Sequence, residues 1–198
     1  MNIPNVVYVL MFLCVIFGAQ WLVETLGARH YEEDGKTHIY DVAHRYLPDL
    51  HKYEYIINIV PVALLVYTLW QPEALTILQE TLLMTLLVLF IRALTAASTI
   101  LPKHEACQVE IGWTTFLNGG CYDKLFSGHI AFVTLLALNL LRAGGLNQVQ
   151  FWILSVANAV LMLMTRGHYT ADVILGFLIA YLVYDGNYSI FRGLFKGL

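Results

Sequence analysis

Apolar residues along the chain gather into six long stretches, at residues 3–26, 55–70, 74–99, 127–141, 149–165 and 170–188, with short polar breaks between them. The stretches are too long and too uniformly apolar for the dyad alternation of an outer-membrane barrel, so the pattern predicts helices. A helix of a soluble bundle keeps a polar outer face. Nearly every stretch here is apolar all round, which predicts an all-α, polytopic membrane protein with six transmembrane helices and both termini on the same side. Several stretches fall short of the ~20 residues that cross an average hydrocarbon core, so their ends must lie among headgroups or the bilayer must adapt.

Counting through six crossings places the segments 29–52, 100–126 and 166–169 on one face of the membrane and the termini on the other. The start of the fourth stretch and the end of the fifth therefore share a face. That is where the polar residues with chemical potential are concentrated.

Composition fits this reading: 59% of the 198 residues are apolar and 13% charged, against about a quarter charged in an ordinary soluble domain. No Pro/Gly/Ser-rich linker or internal repeat divides the chain, which predicts a single membrane-embedded domain over residues 1–198. The opening residues Met1 to Pro4 carry no Lys or Arg and the run that follows is too long for a signal-peptide core, so it reads as a retained first span. A net charge of −3 offers no basic surface for nucleic acid. The cysteines, Cys14, Cys107 and Cys121, lack the close pairs of a zinc site, so neither metal nor cofactor is expected. Lys and Arg favour the face with the histidines, which by the positive-inside rule alone would make that face cytoplasmic.

Two segments carry the chemistry. Residues 121–130 read CYDKLFSGHI and residues 165–173 read TRGHYTADV. Each sets a histidine at a span boundary, and ionisable groups at membrane depth usually face a functional interior. His168 and Asp172, four residues apart, fall on one helix face. The carboxylate can hold one ring nitrogen and leave the other as a nucleophile; the plainer alternative is an Asp that caps the helix beside a satisfied His. Ser127 and Gly128 open the fourth helix, where free amides make an anion site; Ser127 itself reads first as an N-cap. His129 would protonate a leaving alkoxide and then deprotonate an acceptor hydroxyl. Arg92 and Arg166 are candidate phosphate clamps, ranked above Lys103 and Lys124 because arginine matches phosphate in bidentate fashion, with a snorkelling arginine as the alternative.

These motifs resemble the sphingomyelin synthase group of the type-2 phosphatidic acid phosphatase superfamily. The resemblance rests on Cys121, Asp123, Ser127, Gly128 and His129, on His168, Tyr169, Thr170, Asp172 and Val173, on Arg92, Thr95, Thr99, Leu101 and Pro102, and on Leu47, Pro48 and Asp49. The run from Thr165 to Asp172 also resembles the plant phosphatidylcholine:diacylglycerol cholinephosphotransferases.

The resemblance implies a ping-pong transfer of a phosphocholine-type group from a phospholipid donor to ceramide or diacylglycerol, with His168 as nucleophile and His129 as acid and base. It brings Tyr169 and Asp123 into the substrate-binding set and makes Glu105 and Glu110 candidates for pairing a quaternary ammonium. Trp113, Phe116 and Tyr122 could add ring contacts to that cation or simply anchor at the interface. A catalytic face that is lumenal or exoplasmic, in the endoplasmic reticulum, Golgi or plasma membrane, is implied too, and with it a disulfide between Cys107 and Cys121. Tyr122 stands where the group usually has Gly, and Ile130 where it has Thr. No Arg-Pro dipeptide of the phosphatase type occurs, which favours a transferase. A lipid phosphatase or phospholipase C-type hydrolase, and a non-catalytic lipid binder or transporter, are the competing readings. Oligomeric state is not legible.

Overall fold

A computed structural model describes residues 3–33, 39, 41–102, 121–122 and 124–186. The described residues form seven α-helices and no strand: α1 (Ile3–Glu33), α2 (Val42–Tyr46), α3 (Ile59–Leu69), α4 (Ala74–Ser98), α5 (Gly128–Arg142), α6 (Gln148–Met164) and α7 (Thr170–Gly186). A 3-10 helix, His51–Asn58, runs straight into α3.

Helix α5 is the hub. It packs against α3, α4, α6 and α7, and its residues from Ile130 to Leu140 are almost all buried. The surrounding helices turn large apolar side chains outward, among them Trp70, Leu75, Leu82, Val149, Ile153 and Leu182. In water such a shell would be costly, whereas against lipid tails it is the favourable arrangement. Val9–Ala28, His51–Leu69 and Ala74–Ser98 are long and apolar enough to span a membrane. The later helices are shorter: α5 has 15 residues, about 23 Å at the usual rise. These lengths fit the expectation that some spans are short for the bilayer.

Two polar pairs cross between helices at one end of the bundle. Asn139 of α5 donates to Thr81 Oγ1 of α4 at 3.0 Å, and Arg142 pairs with Glu80. Together with Tyr67, whose hydroxyl donates to the Gly145 carbonyl at 2.6 Å, they close one end of the bundle. The described segments with candidate chemistry gather at the opposite end.

Candidate functional site

The two histidine segments meet through their backbones. Ser127 caps α5, its Oγ accepting from Ile130 N–H at 3.3 Å, while its own N–H donates to the Asp172 carbonyl in α7 at 3.1 Å. Gly176, one turn beyond Asp172, makes this approach possible. A Cβ there would sit 2.7 Å from the Ser127 carbonyl oxygen. Helix geometry leaves the Gly128 and His129 amides without an i−4 acceptor inside α5, as at any helix start that can take an anion.

Asp172 is 2% exposed. Its Oδ2 accepts from the Tyr169 N–H at 3.1 Å and lies 3.6 Å from His168 Nδ1. The capping role weighed from sequence is seen at this oxygen, which is also the carboxylate atom facing the imidazole. The imidazole contact is at ion-pair rather than hydrogen-bond distance. Tyr169 turns its hydroxyl to the Pro102 carbonyl at 3.3 Å, which anchors the loop after α4 beside the same helix start. His129 directs Nε2 at Asn58 Oδ1, 3.3 Å away, from the end of the 3-10 helix.

Among the described residues, three cations border the site. Arg92 Nε donates to the Phe126 carbonyl at 2.7 Å and Nη1 reaches Gln20 Oε1 at 3.5 Å. The guanidinium therefore lies against the start of α5, within 4 Å of where a Gly128 side chain would begin. Arg166, with a left-handed φ of 59°, donates from Nη2 to the Leu47 carbonyl at 2.9 Å and holds Nε 3.7 Å from Asp49. A buried guanidinium so engaged is not snorkelling; its Nη1 has no hydrogen-bond partner among the described residues. Lys124, ranked below the arginines on sequence grounds, is buried and donates to the Gly167 carbonyl at 2.6 Å, joining the two motifs a second time.

Several site residues were not foreseen. Asp41 caps α2 by accepting from His44 N–H at 3.0 Å, and also accepts from Thr170 N–H at 2.6 Å and Thr170 Oγ1 at 2.8 Å. Burial works to raise this carboxyl, but these hydrogen bonds prevail and hold it below the usual range. His44 Nε2 donates to the His168 carbonyl at 3.0 Å, and its ring lies on Tyr169. Burial pushes His44 below the ordinary imidazole value. Asp49 is also held low: burial opposes this, but His51 backbone and ring, at 2.9 and 2.7 Å, and the Arg166 charge outweigh it.

Glu24 is the other surprise, a carboxylate 1% exposed inside α1. Its two oxygens accept from the Cys121 and Tyr122 amides at 3.0 and 2.9 Å, so it shapes the loop that leads to Ser127. A Glu in an apolar span was the signal that could have found it.

Both departures from the resembled pattern fit locally. Tyr122 is buried over Gly27 of α1, where a Cβ would lie 2.5 Å from the ring, so its ring is packed rather than presented to a ligand. Ile130 is buried with Met162, Leu163 and Val173. Cys121 is disulfide-bonded. Asp123, Glu105, Glu110, Cys107, Trp113 and Phe116 lie outside the described residues.

Among known families, the PAP2 superfamily C-terminal model matches residues 120–190, which contain both histidine motifs. The match supports the type-2 phosphatidic acid phosphatase superfamily, whose members are usually membrane lipid phosphatases or phosphotransferases, without singling out the sphingomyelin synthase group. No curated protein matches the chain.

Proposed function

We propose that this chain is a lipid headgroup transferase that moves a phosphocholine-type group from a glycerophospholipid to ceramide or diacylglycerol through a phosphohistidine. The observation that carries the reading is the direct junction of the two histidine segments, Ser127 N–H to Asp172 carbonyl at 3.1 Å, in a corner bordered by Arg92, Lys124 and Arg166. Asp123, Glu105 and Glu110 remain in the proposed substrate set on the sequence resemblance alone.

His168 Nδ1 faces Asp172, so Nε2 is the attacking nitrogen. Its lone pair forms the P–N bond while the bond from phosphorus to the diacylglycerol oxygen breaks, and that oxygen leaves with a proton from His129. The acceptor hydroxyl then gives its proton to His129 and attacks phosphorus, the P–N bond breaks, and His168 is regenerated. Charge on the phosphoryl oxygens is met by the Gly128 and His129 amides and by Arg92, with Arg166 Nη1 available for a further bond. Six spans with the site on the lumenal or exoplasmic face complete the proposal, and the disulfide-bonded state of Cys121 favours an oxidising compartment.

Hydrolysis is the second reading, favoured by the breadth of the superfamily matched at residues 120–190. One experiment separates the readings. Purified protein is incubated with fluorescent ceramide and diacylglycerol, each with several phospholipid donors, and the products are resolved by chromatography. A labelled phospholipid product supports transfer, headgroup release without acceptor supports hydrolysis, and neither product supports a non-catalytic lipid binder. His168→Ala and Asp172→Ala are expected to abolish turnover, and turnover retained in both would sink the phosphohistidine mechanism.

A further inference from the structure

We propose that residues 41–58 form a strap that positions both histidines, with Asp41 and His44 holding the His168 turn and Asn58 holding the His129 ring. The proposal rests on the histidine roles given above and adds three positioning residues to them.

The geometry is specific. Helix α7 begins at Thr170, and its first amide needs an acceptor from outside the helix. Asp41 supplies it from 129 residues away, gripping the Thr170 hydroxyl with its other oxygen. A carboxylate at a helix N-terminus is also favoured by the helix dipole. Two residues back, the His168 carbonyl is taken by His44 Nε2, and the backbone is tied again where Leu50 N–H donates to Met164 O at 2.7 Å. The nucleophile's backbone is thereby held on both sides. Downstream on the same strap, Asn58 accepts from His129 Nε2 at 3.3 Å, which leaves Nδ1 of that ring for proton transfer. None of the three touches phosphorus in the proposed mechanism. Their effect is to fix angle and distance, where an error of about 1 Å costs roughly a hundredfold in rate.

Kinetic constants are compared for Asp41→Ala, His44→Ala, His44→Gln and Asn58→Ala in detergent, alongside hydrogen exchange at residues 165–173 and 127–131. Asp41→Ala and His44→Ala are expected to lower kcat about ten- to a hundredfold with KM within about twofold, and to speed exchange at 165–173. His44→Gln, which keeps a donor at the reach of Nε2, should recover most of the loss. Asn58→Ala should lower kcat without altering exchange at 165–173. Should Asp41→Ala fail to fold, Thr170→Val decides, because it deletes one hydroxyl from the same grip. Wild-type kcat in these variants, or His44→Gln as impaired as His44→Ala, would overturn the strap. Were the wild-type protein inactive on every lipid, the functional reading would fail while the exchange data still test the positioning: unchanged exchange in Asp41→Ala and His44→Ala would then overturn it.

Discussion

Gly176 of α7 lies directly against the backbone of Ser127: a Cβ added there would meet the serine carbonyl oxygen at 2.7 Å and its nitrogen at 3.3 Å. Neither atom can rotate away, because the same serine caps α5 and donates to Asp172. The absence of one methyl group therefore lets the His129 and His168 segments share a corner. Gly176→Ala is expected to push α7 off the start of α5 and lower turnover by about a hundredfold, with helix content by circular dichroism unchanged. Wild-type turnover in that variant would show that the close approach is not what assembles the site.

Glu24 leads to a stability prediction. Glu24→Ala leaves the Cys121 and Tyr122 amides without their carboxylate acceptors, at a cost of about 1–3 kcal/mol for each buried donor left unmet. Glu24→Gln keeps one acceptor oxygen but turns an NH2 toward the second amide, so it should fall between wild type and Glu24→Ala. Melting temperatures in detergent measure the order. A Gln variant as stable as wild type would mean that the second amide finds another acceptor.

How much of this was legible in the sequence depended on the range of the contact. Helices, the Ser127 cap and the His168 and Asp172 pair follow from local spacing, and counting crossings predicts that the two motifs share a face. The strap did not follow, because Asp41 and Thr170 are 129 residues apart and Glu24 and Cys121 are 97 apart. Nothing local to Asp41 says which helix start it will cap. Lys124 was undervalued for a related reason: as a phosphate ligand it is inferior to Arg, but here its ammonium binds a backbone carbonyl of the other motif. Gly176 was readable in principle, since it continues the four-residue spacing of His168 and Asp172.

Arg92 tests whether a cation at this site acts on substrate or on backbone. Its Nε is committed to the Phe126 carbonyl, and Nη1 extends toward Gln20. Arg92→Lys preserves charge but cannot make the Nε bond and offer a fork at the same time. It should raise KM for the donor lipid and lower kcat, about tenfold in kcat/KM. Gln20→Ala frees Nη1 and should leave kcat close to wild type. Kinetics for the two variants that coincide would place the importance of Arg92 in its contact with Gln20 rather than in phosphate.

Acid should loosen the strap through His44 before Asp41. His44 is shifted down by burial, with Asp41 and Asp49 opposing the shift and Arg166 adding to it, so the ring takes up a proton less readily when packed than when released. The released state then binds more protons, and the stabilisation rises with pH: it is complete above about 6.5, the ordinary imidazole value, and is lost as pH falls toward the lower folded value. Asp41 is likewise shifted down: although burial opposes this, its hydrogen bonds prevail. Its contribution stands above about pH 3.9 and is lost only as pH falls further through the folded value. Thermal melting across this range should therefore show a decline in mild acid and a second in strong acid. His44→Gln should remove the first and keep the second, and parallel curves for the variant and the wild type would rule His44 out as the acid-sensitive element.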